Sequence, residues 1–228
     1  MLKYNLFLVY LTKYLYDYQQ YYYYCYNLKI FVYESIVKKL IDLGVKGFTV
    51  HPRPDERHIR YQDVYDISEY LKDYQDIEFN IEGNPNEQFL KLIREVKPHQ
   101  CTLVPDSEDQ LTSDHGFDII KYSDMLSKLS HELEGFGTRC AVFIDPDIEQ
   151  IKAVIASNVQ TIEMYTEEWA RAYEDKKDND SSNNDSNFAA VKQRFDDCIN
   201  LASENGMRVN AGHDLNLDNL ADLLSLGD

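Results

Sequence analysis

A chain of 228 residues has the length of one large domain, and its net charge of −17 excludes a nucleic-acid partner because a phosphate backbone would be repelled. Its four cysteines are far apart and form no CxxC pair, so neither a zinc site nor a disulfide framework is indicated. We expect a reducing, cytoplasmic compartment. No residues with metal-ligand spacing are evident, and no dinucleotide-binding turn suggests a redox cofactor.

The beginning of the chain differs in composition from the rest. The first 33 residues contain 11 of the 18 tyrosines and a single acidic residue, Asp17. Residues 1–27 are therefore interpreted as a low-complexity leader before a domain that spans 28–228. The longest apolar run in the leader, Leu6–Leu11, is too short to cross a bilayer, and no cleavage site follows it. Peripheral binding to a membrane surface is disfavoured because the segment is poorly amphipathic.

From residue 28 onward, strand patterns alternate with helix patterns. The predicted strands are Leu28–Tyr33, Gly47–Val50, Ile77–Ile81, Gln100–Val104, Arg139–Ile144, Thr161–Met164 and Arg208–Ala211. Helices with one apolar face are predicted over 36–43, 61–74, 87–96, 119–134, 147–157, 188–205 and 217–226, with another that ends near 175. This alternation requires right-handed βαβ units and a parallel sheet.

Two segments carry specific local expectations. Pro146 is placed in the first turn of the helix over 147–157, where its missing N–H group is harmless. The segment 176–187 contains no apolar residue and cannot bury surface, so it is expected to be a disordered polar insertion.

Polar side chains recur just after the ends of the predicted strands: His51, Glu82, Thr112, Glu163 and His213. In a TIM barrel, such positions converge on the mouth at the C-terminal ends of the strands, where the active site lies. The alternative, an open doubly wound sheet, would show a glycine-rich phosphate turn after its first strand, and none is present. The sequence therefore predicts an α/β fold of the TIM (β/α)8-barrel type, incomplete, with six to seven recognisable strands.

The densest group of titratable residues lies in GFTVHPRPDERHI, Gly47–Ile59. A buried strand runs directly into a loop that carries His51, Arg53, Asp55, Glu56, Arg57 and His58. Pro52 and Pro54 restrict the backbone around Arg53 and lower the entropy lost on ordering the loop. A solvated surface loop could have the same composition, so this segment alone does not identify an active site.

Five segments together resemble the pyridoxine 5′-phosphate synthase family. They are TVHPRPDERHI (49–59), FNIEGNP (79–85), TLVPD (102–106), TSDHGFD (112–118) and VNAGHDLN (209–216), in the family's order and with similar spacing apart from 176–187. The resemblance covers about residues 36–226. It implies an enzyme that condenses 1-deoxy-D-xylulose 5-phosphate with 3-amino-2-oxopropyl phosphate, releasing inorganic phosphate and water. It also implies a homo-oligomer, an octamer in the family.

The resemblance also implies a role for individual residues. The implied catalytic residues are His51 as general base, Glu82 as second acid–base residue, His213 as proton donor and Glu163 as the carboxylate that stabilises the transition state. The implied substrate-binding residues are Arg53, His58, Thr112 and Asp214. Ring closure with successive dehydrations needs repeated proton transfer near neutral pH, which suits imidazole groups, and a guanidinium fork suits phosphate oxygens.

Each of these residues also has a purely structural interpretation. A glutamate at a strand end can be a rim ion pair, His213 can cap the last helix, and Thr112 can be a turn residue. Asp114 and His115 are expected to order their loop. His99 and His131 are expected to be exposed to solvent.

The sequence departs from the family at both ends. No counterpart of the family's first strand and phosphate loop precedes Glu34, and the chain stops at Asp228, before the family's last strand with its Gly-His turn. We therefore expect weakened binding of 3-amino-2-oxopropyl phosphate and two open sheet edges, which would aggregate or pair with the Tyr-rich leader. Three hypotheses follow: a functional synthase, a degenerate homologue that binds at most a sugar phosphate or a protein partner, or an unrelated barrel lyase or isomerase.

Overall fold

The computed structural model describes residues 8–10, 35–57, 59–106, 113–178 and 182–227. Its strands are β1 (Leu8–Tyr10), β2 (Gly47–Val50), β3 (Glu78–Gly83), β4 (Gln100–Leu103), β5 (Arg139–Ile144), β6 (Thr161–Tyr165) and β7 (Arg208–Gly212). Its helices are α1 (Tyr61–Leu71), α2 (Glu87–Val96), α3 (Ile119–Glu134), α4 (Ile148–Ile155), α5 (Glu167–Asp178), α6 (Ser182–Glu204) and α7 (Leu220–Leu224), and residues 35–42 are also helical.

The strands lie in the sheet in their chain order. The pairs β1–β2, β2–β3, β3–β4, β5–β6 and β6–β7 are all parallel. Parallel strands in chain order with helices between them are the arrangement of a (β/α)8 barrel. The predicted α/β fold of the incomplete TIM-barrel type is confirmed, with seven strands among the described residues.

The chain divides into two compact units. The N-terminal unit consists of the described residues within 5–113 and 132–140, and the C-terminal unit of those within 114–131 and 141–227. Among the described residues, no helix has both the length and the hydropathy needed to cross a membrane.

The register of the N-terminal unit aligns the ends of its strands. Val50 of β2 lies opposite Ile81 of β3, so the next residues, His51 and Glu82, are level with each other. Both strands are buried along almost their whole length, as expected for parallel strands covered on both faces. The sheet therefore presents these two polar side chains at a fixed separation.

The C-terminal unit is packed around Trp169 of α5. Its ring is fully buried and makes edge contacts with Phe188 and Phe195 of α6, at centroid distances of 5.1 and 5.5 Å. Its indole N–H donates to the carbonyl oxygen of Asn219 at 3.1 Å, just before α7. This one side chain therefore links α5 to α6 and to the segment that precedes α7.

Part of the Tyr-rich leader belongs to the sheet. Leu8–Tyr10 pairs in parallel with Gly47–Thr49 of β2, which matches the expectation that an open sheet edge pairs with the Tyr-rich leader. A Leu-Val-Tyr run has high β-propensity, and an open edge of β2 offers unpaired backbone groups. The predicted strand Leu28–Tyr33 lies outside the described residues.

The segment 176–187 was expected to be a disordered insertion, and its described residues lie at the ends of two helices. Helix α5 continues to Asp178, and α6 begins at Ser182. The amide of Asn184 donates to the carbonyl oxygen of Asp175 at 2.9 Å, and the Lys176 ammonium lies 4.9 Å from the ring centroid of Phe188. Helix-end hydrogen bonds and an aromatic neighbour thus compensate for the lack of apolar residues.

Helix α4 begins later than predicted. Its N-cap is Asp147, so Pro146 precedes the cap and does not lie in the first turn. The Asp147 carboxylate accepts from the backbone N–H groups of Glu149 and Gln150 at 2.7 and 3.2 Å. These bonds satisfy two donors that a helix terminus would otherwise expose.

Asp147→Ala is expected to lower the free energy of unfolding by about 1–2 kcal/mol, because both cap bonds are lost. Urea denaturation measures the change. Lys152→Ala, which removes only an exposed ion pair with Glu149, is the control and should change stability by less than about 0.5 kcal/mol. Equal effects from the two substitutions would contradict the capping role.

Candidate active site

A buried imidazole–carboxylate pair lies at the ends of β2 and β3. His51 Nδ1 is 3.2 Å from Glu82 Oε1, and the two side chains are only 10% and 4% exposed. Because Nδ1 faces the Glu82 carboxylate, Nε2 is the nitrogen left to accept a proton. A carboxylate that orients a histidine in this way is a common basis of proton transfer in enzymes.

A buried polar layer lies directly behind this pair. Asn80 donates to Thr49 Oγ1 and accepts from Thr102 Oγ1, both at 3.1 Å. Side chains two residues apart on a strand share a face, so Thr49 and Asn80 lie on the same face as His51 and Glu82. This layer was not predicted, although polar residues at alternate positions of apolar strands could have indicated it.

Arg53 is held inside the N-terminal unit by an acidic residue. Its Nη2 donates to Asp106 Oδ2 at 2.9 Å, and the hydroxyl of Ser113 donates to the same oxygen at 2.8 Å. All three residues are buried. Asp106 was not singled out from the sequence, although it ends the TLVPD segment.

A pocket of the N-terminal unit joins these groups. Its walls comprise His51, Pro52, Arg53, Pro54, Tyr61, Asn84, Asn86, Phe89 and Asp106. Burial, followed by the nearby negative charge of Glu56, raises the pKa of the Tyr61 hydroxyl, which therefore stays protonated near neutral pH. The lining combines an imidazole, a guanidinium group, a carboxylate and amide side chains.

The rest of the charged loop turns outward. Asp55 and Glu56 are exposed, and Glu56 adopts a left-handed conformation with φ of 54°. The Glu56 carboxylate accepts from the backbone N–H of Tyr61 at 2.9 Å. The loop therefore divides into two inward residues, His51 and Arg53, and an exposed turn. His58 lies outside the described residues.

The other predicted catalytic residues lie in the C-terminal unit. Glu163 is a fully buried residue of β6, between Phe143 of β5 and Asn210 of β7 in the register. His213 follows β7, and its Nδ1 lies 2.9 Å from Asp214 Oδ2. The structure thus pairs His213 with Asp214, as it pairs His51 with Glu82. Thr112 lies outside the described residues.

The turn at His213 and Asp214 has an unusual backbone. Both residues have positive φ, 88° and 56°, a conformation that is uncommon without glycine. Thr166 holds the turn by donating its hydroxyl to the carbonyl oxygen of Gly212 at 2.6 Å and to that of His213. The amide of Asn219 donates to the Asp214 carbonyl at 3.1 Å. The surrounding residues therefore fix the backbone conformation from which the imidazole projects. His213 does not cap α7, whose N-cap is Asn219.

An aromatic ring packs against the same imidazole. The Tyr165 ring meets the His213 ring edge-on with centroids 5.0 Å apart. Burial, with smaller effects from nearby carboxylates such as Glu167, raises the pKa of Tyr165 to about 12. Its hydroxyl is therefore a hydrogen-bond donor across the physiological pH range.

Comparison with known proteins identifies the family. The model of the family described as "Pyridoxal phosphate biosynthesis protein PdxJ" matches residues 34–228. The pyridoxine 5′-phosphate synthase of Porphyromonas gingivalis is 45% identical over 177 residues, which are 78% of this chain and 68% of that protein. The chain belongs to the pyridoxine 5′-phosphate synthase family.

Further relatives carry the same name. The pyridoxine 5′-phosphate synthases of Christiangramia forsetii and Bacteroides fragilis are each 43% identical, over 80% and 82% of this chain and 71% and 73% of the relatives. A solved dihydropteroate synthase of Xanthomonas albilineans aligns with a TM-score of 0.42 and 11% identity over 87% of this chain and 84% of that one. As a member of this family, the chain is an enzyme of pyridoxine biosynthesis.

Three histidines, His99, His115 and His131, lie outside the predicted site. His99 and His131 are exposed, as predicted. The Nδ1 atom of His99 accepts from the backbone N–H of Phe79 at 3.1 Å. The exposed His115 and Asp114 pair with each other, and their predicted loop-ordering role stays a prediction. Among the described residues, no cluster of three or more metal-ligating side chains occurs.

A carboxylate close to His115 provides a pH-dependent test. Burial raises the pKa of Asp145 above its ordinary value of 3.8, against the opposing effect of the hydrogen bond from the Gly116 N–H at 3.0 Å. Folding thus favours the protonated acid, so its stabilising contribution is present at low pH and is lost as the pH rises through the folded-state pKa.

Asp145→Asn, which is neutral at every pH and keeps an acceptor oxygen for Gly116, is expected to be more stable than the wild type at pH 7. The advantage should shrink as the pH falls through the raised folded-state pKa, and little of it should remain below about pH 4, where the carboxylate is protonated in the unfolded chain as well. Urea denaturation at several pH values measures the difference. A difference that stays constant from acidic to neutral pH would contradict the assignment.

Proposed function

We propose that the chain is a pyridoxine 5′-phosphate synthase that condenses 1-deoxy-D-xylulose 5-phosphate with 3-amino-2-oxopropyl phosphate. The products are pyridoxine 5′-phosphate, inorganic phosphate and water. The observation that carries this proposal is the buried His51–Glu82 pair, 3.2 Å apart at the ends of adjacent strands. Family membership supplies the choice of reaction.

In the proposed reaction, His51 acts as general base. Its Nδ1 side is engaged with Glu82, so Nε2 takes a proton from the substrate, and Glu82 stabilises the resulting imidazolium. Glu82 then serves as the second acid–base group in the dehydration steps. The polar layer of Thr49, Asn80 and Thr102 supports this role, because it restrains the strand ends that carry the pair.

Arg53 is proposed to bind the phosphate of 1-deoxy-D-xylulose 5-phosphate. Its guanidinium group lines the same pocket as His51, and its planar fork matches phosphate oxygens. His58 and Thr112 are proposed as further contacts to this substrate on the basis of the family motif.

In the C-terminal unit, His213 is proposed as the proton donor and Glu163 as the carboxylate that stabilises positive charge in the transition state. The hydrogen bond of His213 to Asp214 and its contact with Tyr165 support a defined ring orientation. Asp214 is proposed to bind substrate from the same turn. The full burial of Glu163 supports a strong electrostatic effect, since charges interact more strongly where water is excluded.

The proposed partners are the two phosphorylated substrates and inorganic phosphate, with neither nucleic acid nor membrane. Side chains serve every proton transfer, so we propose no metal and no cofactor. A cytoplasmic homo-oligomer, an octamer as in the family, completes the proposal. The described cysteines, Cys101, Cys140 and Cys198, are buried and form no disulfide with one another, which is compatible with a reducing compartment.

Turnover by the purified 228-residue chain tests the proposal. The chain is incubated with both substrates, and pyridoxine 5′-phosphate is measured by chromatography. Product that requires both substrates supports the synthase. Binding of 1-deoxy-D-xylulose 5-phosphate in calorimetry without formation of pyridoxine 5′-phosphate would instead identify a degenerate, sugar-phosphate-binding homologue. Conversion of one substrate alone into a different compound would indicate a lyase or isomerase.

A further inference from the structure

We infer that Asp106 is a positioning residue that sets the guanidinium group of Arg53 for the substrate phosphate. The inference rests on the proposed function, in which Arg53 binds that phosphate. Asp106 follows β4 and Arg53 follows β2, so the contact joins loops from two different strands of the N-terminal unit. None of the roles implied by the family motifs falls on Asp106.

The first argument is burial of the pair. Arg53 Nη2 and Asp106 Oδ2 are 2.9 Å apart, and the two side chains are 8% and 4% exposed. A guanidinium group at this depth requires a nearby counter-charge, because an uncompensated buried cation is strongly unfavourable. Asp106 therefore allows Arg53 to stay in the pocket before a phosphate arrives.

The second argument is that the carboxylate is itself held in place. Ser113 Oγ donates to the same Oδ2 atom at 2.8 Å, from a segment that leads into α3. Asp106 thus has a fixed orientation and transmits it to Arg53. A group whose rotamer is locked by neighbours loses little entropy when the ligand binds, which favours affinity.

The third argument is the position of Arg53 beside the proposed base. Arg53, Asp106 and His51 line the same pocket. A phosphate bound by Arg53 would therefore place the substrate beside the proposed base.

The substitution that tests the inference is Asp106→Asn. Asparagine has the same shape and retains one acceptor oxygen, but the negative charge is lost. We expect the KM for 1-deoxy-D-xylulose 5-phosphate to rise about 10- to 100-fold, the usual effect of losing a hydrogen bond to a charged group. The KM for 3-amino-2-oxopropyl phosphate and kcat should change much less.

A matched control is available in the same unit. Asp63 is also buried, and its Oδ2 accepts from Arg60 Nε at 3.0 Å, but neither residue lines the pocket. Asp63→Asn is expected to lower the melting temperature as Asp106→Asn does and to leave both KM values unchanged. If Asp106→Asn also lowers only the melting temperature, Asp106 is purely structural and the inference is overturned.

A double-mutant cycle with Arg53→Met shows whether Asp106 acts through Arg53. In the Arg53→Met background, Asp106→Asn should raise KM little further, because the group that it positions is gone. Multiplicative effects of the two substitutions would mean that Asp106 acts independently, which overturns the inference.

The outcome for Asp106 can be separated from that for the proposed function. A wild-type chain that binds 1-deoxy-D-xylulose 5-phosphate without turnover contradicts the proposed function. In that case calorimetry gives the Kd for 1-deoxy-D-xylulose 5-phosphate of each variant in the double-mutant cycle. Asp106→Asn is then expected to raise this Kd by the same factor as the KM, about 10- to 100-fold. A wild-type chain that neither binds nor converts this substrate overturns both.

Discussion

Replacing His51 with alanine is expected to lower kcat about 10²- to 10⁴-fold, the usual contribution of a general acid–base group. The imidazole is buried beside Glu82, and water that entered the space would be a weaker and poorly oriented base. The loss should fall on kcat more than on KM, because proton transfer occurs in the chemical steps. Steady-state formation of pyridoxine 5′-phosphate measures both parameters.

The control for this variant is His131→Ala. His131 is an exposed histidine of α3 whose Nδ1 lies near the amide of Asn158 at 3.3 Å, and its removal should leave kcat unchanged. Glu82→Gln, which keeps the shape of the side chain but not its charge, should also lower kcat strongly. Wild-type kcat in both His51→Ala and Glu82→Gln would exclude the pair from catalysis.

Gly116→Ala is expected to destabilise the protein by about 3 kcal/mol or more, at the upper end of the cost of overpacking. A Cβ atom at this position would lie 2.6 Å from the carbonyl carbon and 2.7 Å from the Cα atom of Ile144, and closer still to the backbone nitrogen of Asp145. These are backbone atoms at the end of β5, so they cannot move aside as a flexible side chain can. The hydrogen bond from Phe117 N–H to the Phe143 carbonyl, at 2.7 Å, would be strained as well.

Gly206→Ala is the matched control in the same unit. Gly206 has φ of +78°, and no atom of the described residues outside its own chain neighbours lies within 4 Å of the place that an added methyl group would take. Alanine there meets only the backbone strain of about 1–2 kcal/mol. Urea denaturation of both variants gives the comparison. A Gly116→Ala variant no less stable than Gly206→Ala would show that the loop tolerates a larger separation from β5.

The strands were predictable because their pattern is local. A short apolar run between turn residues marks β2, β5 and β6, and the alternation with helices implies a parallel sheet. Distant contacts decide the elements that the local pattern does not mark. Leu8–Tyr10 forms a strand because β2 offers it an open edge, and Asn184 lies in α6 although its local composition is polar.

The site was predictable only in part. Family motifs drew attention to His51 and Glu82, and the strand register brings the two side chains together. The same motifs contain Asp106 and Asn80, yet neither stood out, because a single buried aspartate or asparagine has no periodic signal. Their hydrogen bonds to Arg53 and Thr49 join residues that are 53 and 31 positions apart.

Hydrophobic periodicity and turn residues are properties of neighbouring positions, so the amino-acid order alone was enough to indicate an α/β barrel and the loops that carry its polar groups. Which of those groups is buried and paired depends on segments that meet only after folding. The tertiary structure decided that Arg53 turns inward to Asp106 while Glu56 turns to solvent. The physical reason is that a buried charge needs a partner, and only the folded chain supplies one.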